Sequence, residues 1–109
     1  MITAAIIGDY VGSIYEFKEV KEWSLLKLTS AENTITDESV MIAATCQALL
    51  EDKRDFAEMY LKYGNHYPEL AWGHGTKFWL QENDPDFVYN SSGNGAATRA
   101  IPIAYLNMS

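Results

Sequence analysis

The chain is short of cysteine, of positive charge and of long apolar runs. Cys46 is its only cysteine. That excludes an internal disulfide framework and a cysteine-rich zinc site, and it points to a reducing compartment, the cytoplasm. Lys and Arg number 8 against 15 Asp and Glu, a formal charge of −7, and no basic cluster is present. Nucleic-acid binding by general charge attraction is therefore not expected, because it rests on clustered Lys and Arg. The longest apolar stretch, Val40 to Leu50, already contains Thr45 and Gln47 and falls far short of the ~20 residues of a membrane span. No basic residue precedes the apolar run at the N-terminus, which stops at Gly8-Asp9, so it makes a poor signal peptide. A soluble cytoplasmic protein is expected.

What is present argues for a folded core. A hydrophobic fraction of 48%, with 3 Trp, 7 Tyr and 4 Phe, is the opposite of a disordered composition. The 109 residues suit one domain spanning the whole chain. Helical periodicity dominates. Ala4, Ile7, Val11 and Ile14 place a first helix over about Ala4–Phe17, with Gly8 and Gly12 four apart on a neighbouring stripe. Glycine costs a helix about 1 kcal/mol relative to Ala, so the pair is expected to mark close approach of another backbone or a ligand. A second helix runs from Thr36 or Asp37 to about Leu50, with Val40, Met41, Ala44 and Ala48 inward and an acidic first turn. Phe56, Met59, Tyr60 and Tyr63 give a third over Asp55–Tyr63. A short fourth covers Thr76–Gln81, and a fifth begins after Gly95, where Pro102 is expected to kink or end it. Residues Val20–Leu28 read as a strand or a loop, and β alternation is otherwise scarce. The expected class is all-α.

Several groups could carry chemistry. Asp9 and Glu16 lie seven residues apart and share a helix face. Thr36, Asp37 and Glu38 cluster at a helix start. Such oxygen donors suit Mg²⁺, Mn²⁺ or Ca²⁺ rather than Zn²⁺, while from spacing alone helix capping is the simpler reading of the Thr36-Asp37-Glu38 turn. Two glycine-bearing loops each precede a helix: Gly73-His74-Gly75-Thr76 and Ser91-Ser92-Gly93-Asn94-Gly95. Backbone N–H groups at such helix starts can hold phosphate, though ordinary loop chemistry also accounts for them. His66 and His74 lack the spacing of a zinc pair; His74, between glycines, is placed to meet a ligand, and His66 reads as a surface residue. Trp72, Phe78 and Trp79 could flank a base or fill a core. Arg99 could pair with an acid or a phosphate. Cys46 reads as a small buried residue.

In order along the chain these pieces resemble a known family. Ala5-Ile6-Ile7-Gly8-Asp9-Tyr10-Val11-Gly12-Ser13-Ile14-Tyr15-Glu16-Phe17 looks like the N-terminal motif of bacterial ADP-ribosylglycohydrolases, the family of the glycohydrolase that activates dinitrogenase reductase. Thr36-Asp37-Glu38-Ser39-Val40-Met41 is similar to its metal-binding Thr-Asp-Asp-Thr-x-Met motif. Tyr67-Pro68 with Gly73-His74-Gly75-Thr76-Lys77-Phe78 resembles its Gly-Tyr-Gly loop, and Ser92-Gly93-Asn94-Gly95-Ala96-Ala97-Thr98-Arg99 resembles its Ser-x-Gly-Asn-Gly loop. The resemblance implies an all-helical fold whose cleft uses two Mg²⁺ or Mn²⁺ ions to hydrolyse the bond between ADP-ribose and its acceptor. It implies Thr36, Asp37 and Glu38 as metal ligands, with Glu16 and Asp37 as the catalytic carboxylates. Gly73, His74, Gly75, Thr76, Ser92, Gly93, Asn94 and Gly95 would hold the diphosphate and ribose.

Two departures shape the expectation. Glu38 stands where the family usually has Asp, one methylene longer. The family's C-terminal Gly-x-Asp-x-Asp-Thr motif has no counterpart in these residues, which match only its N-terminal portion. We therefore expect at most one weak metal site in this chain alone, with further ligands coming from another chain. The partners expected are ADP-ribose or an ADP-ribosylated acceptor, and a second copy or a complementary C-terminal chain. The alternative is an inactive ADP-ribose-binding or protein-interaction module built on the same fold.

Overall fold

The computed structural model describes residues 2–22, 26–51, 55–91 and 93–107. It contains five α-helices and, among the described residues, no strand: α1 (Ile2–Gly12), α2 (Asp37–Leu50), α3 (Phe56–Gly64), α4 (His74–Glu82) and α5 (Gly95–Asn107), with a 3₁₀ turn at Ser13–Tyr15. The all-α expectation holds. No described residue of Val20–Leu28 is in a strand, and residues 23–25 of that stretch lie outside the described set.

Helix α2 is the hub, packing against α1, α3 and α5. Its sequence explains this. Small and apolar residues fill most positions, so Val40, Met41, Ile42, Ala44 and Ala48 are all buried. Thr36 caps its start by accepting from the Glu38 N–H at 3.2 Å. The core joins Val40 and Met41 to Leu61 of α3, Trp72, and Trp79 and Leu80 of α4. Trp72 and Trp79 are thus core residues, whereas Phe78 is half exposed. The last residue of α3 abuts a side chain of α4: a Cβ on Gly64 would lie 2.5 Å from Leu80 Cδ2. Helix α4 closes on Asn83 in the left-handed conformation (φ 53°), which Asn tolerates better than most residues.

Four expectations need correcting, in whole or in part. Helix α1 stops at Gly12 rather than continuing as one helix to Phe17; the Ser13 hydroxyl donates to Tyr10 O at 2.7 Å and the chain tightens into the 3₁₀ turn. Helix α4 starts two residues earlier than expected, at His74. Of the kink or end expected at Pro102, the end is excluded: α5 runs on to Asn107 with Pro102 fully buried. The close approach of another backbone expected at Gly8 and Gly12 is not seen among the described residues: a Cβ on either would meet nothing within 4 Å. Helix α1 reaches α2 through Asp9 instead.

The molecule is loosely filled. Its radius of gyration is 14.9 Å, against ~13 Å for a compact domain of about 100 residues. No residue of α1 is buried, although α1 is the most apolar helix. Ile7, Phe17, Leu28, Leu50, Val88 and Leu106 are among the large apolar side chains left exposed. No helix among the described residues is long and apolar enough to cross a membrane.

Candidate functional site

Asp9 fixes the geometry from below. Its two carboxylate oxygens accept from the Thr36 hydroxyl at 2.6 Å, the Thr36 N–H at 2.8 Å, the Ser39 hydroxyl at 2.7 Å and the Ser39 N–H at 3.3 Å. The side chain from α1 thereby satisfies N–H groups that a helix start leaves free and places its charge at the positive end of α2. Asp9 is consumed as a brace. The Thr36 hydroxyl spends its proton on Asp9 and one lone pair on Glu38 N–H, which leaves one lone pair for another partner.

With that turn locked, Asp37 and Glu38 face the same cleft as Glu16, which follows the 3₁₀ turn. Asp37 Oδ1 is buried with no hydrogen-bond partner. Burial, then repulsion from Glu38 and Glu16, pushes the Asp37 carboxyl up to about 6. Glu16 is held above the usual carboxylate range by partial burial and by the charges of Asp9 and Glu38. The carboxylates are close enough to feel one another, and they gain stability from a cation. The donor set is all oxygen, the chemistry of a hard divalent ion. Among the described residues no three His, Cys, Asp or Glu side chains converge as a ligand group.

The cleft measures 580 Å³, within the roughly 300–1,000 Å³ range of small-molecule sites. Glu16, Asp37 and Glu38 meet Gly73 and Thr76 of the first glycine loop and Gly93, Asn94 and Gly95 of the second in its walls. Motifs up to 79 residues apart, from Glu16 to Gly95, thus share one cavity. Thr36 is buried beneath it. His74 opens α4, is exposed, and is not in the cleft wall. Gly75 serves it indirectly: a Cβ there would press 2.9 Å from the Tyr89 ring, which lines the cleft while its hydroxyl bonds Thr76 Oγ1 at 2.9 Å. Ser92 lies outside the described residues.

Sequence reasoning missed Tyr89 as a wall residue. Tyr89 carries no motif, and only its place in a loop before the Asn-Gly segment hints at it. Met41 and Trp72 line the cleft from the core side. Arg99, for which a structural ion pair with an acid was one expectation, makes none among the described residues and lies with its guanidinium carbon 5.3 Å from the Tyr60 ring centroid. Cys46 is half-buried, its thiol pushed up by burial, and it takes no part in the cleft.

No curated protein and no solved structure gives a significant match to the chain. A family model does, over residues 1–109, with the acid turn and both glycine loops inside the matched span. The chain belongs to the ADP-ribosylglycohydrolase family.

Proposed function

We propose that this chain provides the acid turn and the nucleotide-holding loops of a metal-dependent ADP-ribosyl hydrolase. The observation that carries the reading is the single cleft in which Glu16, Asp37 and Glu38 face the Gly73–Thr76 and Gly93–Gly95 loops. Thr36, Asp37 and Glu38 fit Mg²⁺ or Mn²⁺, and the orphaned Asp37 Oδ1 is the atom with most to gain. A divalent ion there would supply positive charge against a developing anion and acidify water. Further carboxylates would come from outside these residues.

The chain's own groups do the rest. The loops hold ADP-ribose so that its anomeric carbon faces the acid turn. Glu16 orients the attacking water and takes its proton, for which a carboxylate held above its ordinary range is better suited than a free one. The water oxygen bonds to the anomeric carbon, the bond to the acceptor breaks, and the acceptor leaves with the electron pair and with the proton that Glu16 took from the water. Helix α1, apolar yet unburied, is the face we assign to a second copy or a complementary chain.

The test is release of ADP-ribose from ADP-ribosylated arginine and serine peptides, with Mg²⁺, with Mn²⁺ and with chelator. Metal-dependent release that Glu16→Gln and Asp37→Asn abolish is the expected result. ADP-ribose binding without release under any condition, including with added family C-terminal segment, would replace this reading by that of a binding module.

A further inference from the structure

We infer that Arg99 is the specificity residue of the cleft, holding a phosphate of the ligand's diphosphate. This rests on the ADP-ribosyl reading above and goes beyond the motif loops that led to it. Arg99 is the only Lys or Arg among the described residues lining a cavity that also presents Glu16, Asp37 and Glu38. An anionic ligand entering such a cavity meets net repulsion unless a cation receives it. The charge of Arg99 is free for this purpose. It pairs with no carboxylate among the described residues, and it is not among the charges acting on Asp37 or Glu16.

Its position is built. Arg99 sits one turn beyond Gly95 on α5, and helical side chains lean toward the N-terminus. The guanidinium therefore folds back over the start of α5, where a Cβ on Gly95 would lie only 2.9 Å from Nη1. Glycine at this position makes the room. On the other side the guanidinium carbon lies 5.3 Å from the Tyr60 ring centroid, a cation–π contact that leaves the N–H edge available. Tyr60 is itself anchored: Thr45 Oγ1 donates its proton to Met41 O at 2.8 Å, so the Tyr60 hydroxyl donates to Thr45 at 3.0 Å. A planar, preoriented fork beside the Gly93–Gly95 loop matches phosphate in charge and geometry.

Calorimetric titration of the full chain with ADP in chelator buffer, with adenosine as the uncharged control, tests the inference. ADP should bind more tightly than adenosine, and Arg99→Gln should weaken ADP by about tenfold or more, the range of a charged hydrogen bond. Arg99→Lys should restore part of the loss, and adenosine should not move. Arg99→Gln binding ADP as wild type does, or wild type failing to prefer ADP over adenosine, would overturn it. Should Arg99→Gln not fold, wild-type NMR decides: the Arg99 Nε–Hε resonance, assigned with Arg99→Lys, must shift on adding ADP, and an unmoved resonance refutes the contact. Arg99-dependent ADP binding without release of ADP-ribose from any acceptor would leave this inference standing and remove the hydrolase reading.

Discussion

Replacing Asp37 by Asn should make the metal-free protein more stable while removing its metal response. The carboxyl sits half-buried at the first turn of α2, with Oδ1 unpartnered and Glu38 and Glu16 adding repulsion. Its pKa moves from an ordinary 3.8 to about 6. At ~1.4 kcal/mol per unit that is a ceiling of about 3 kcal/mol. The group is half exposed and solvent screens the repulsion, so about 1 kcal/mol is the realistic figure. The sign follows from linkage. A folded-state pKa above the unfolded one means that the folded form binds the proton more tightly. This group's contribution is therefore fully present below about pH 3.8 and lost as pH rises through about 6. Asn cannot ionise and escapes that loss. In chelator at pH 8, Asp37→Asn should melt about 4 °C above wild type, with the gap closing toward pH 4. Adding Mn²⁺ should raise the wild-type midpoint and leave the variant unchanged. A variant no more stable than wild type at pH 8, or a gap independent of pH, would refute the account of an uncompensated carboxylate.

Asp9→Ala removes four hydrogen bonds at the start of α2 and should cost about 2–3 kcal/mol in urea unfolding; a loss below ~0.5 kcal/mol would show that the brace is dispensable. Gly75→Ala forces the Tyr89 ring away and should weaken ADP-ribose binding severalfold in calorimetry, with a stability change of about 1 kcal/mol or less. Thr45→Val leaves the Tyr60 hydroxyl without its acceptor and should cost about 1–2 kcal/mol by thermal unfolding.

The helices were legible because their periodicity is local. Val40, Met41, Ala44 and Ala48 repeat at helix spacing, and the core-facing side of α2 follows directly. The motifs named the turn and both loops that line one cleft, although nothing local joins Glu16 to Gly95. What misled was the assumption that a glycine in a helix must touch something. Gly8 and Gly12 face open space, and the contact between α1 and α2 runs through a carboxylate whose partners, Thr36 and Ser39, lie 27 and 30 residues away. Tyr89 and Tyr60 escaped notice for the same reason. Each acts through one long-range bond, to Thr76 and to Thr45, and sequence spacing carries no trace of such pairs.

Three of the four candidate acids, Asp9, Glu16 and Asp37, divide into two kinds, and the division decides how the cleft can work. Asp9 is fully engaged, giving its charge to the start of α2 and its oxygens to four donors. Asp37 and Glu16 are the reverse: burial and the charges of neighbouring carboxylates hold both above their ordinary range, and Asp37 Oδ1 has no hydrogen-bond partner. If Asp9 did not lock the turn, Asp37 could swing toward solvent and relieve its own strain, at the expense of a fixed place for a cation. A brace that costs nothing unpaired thus holds a carboxylate that does cost stability. The two effects are separable by mutation: Asp9→Ala should lower both stability and metal affinity, and Asp37→Asn should raise the first while abolishing the second. A result in which Asp9→Ala left metal-induced stabilisation at its wild-type size would mean that the acid turn is fixed by its own backbone, and that Asp9 serves only the packing of α1.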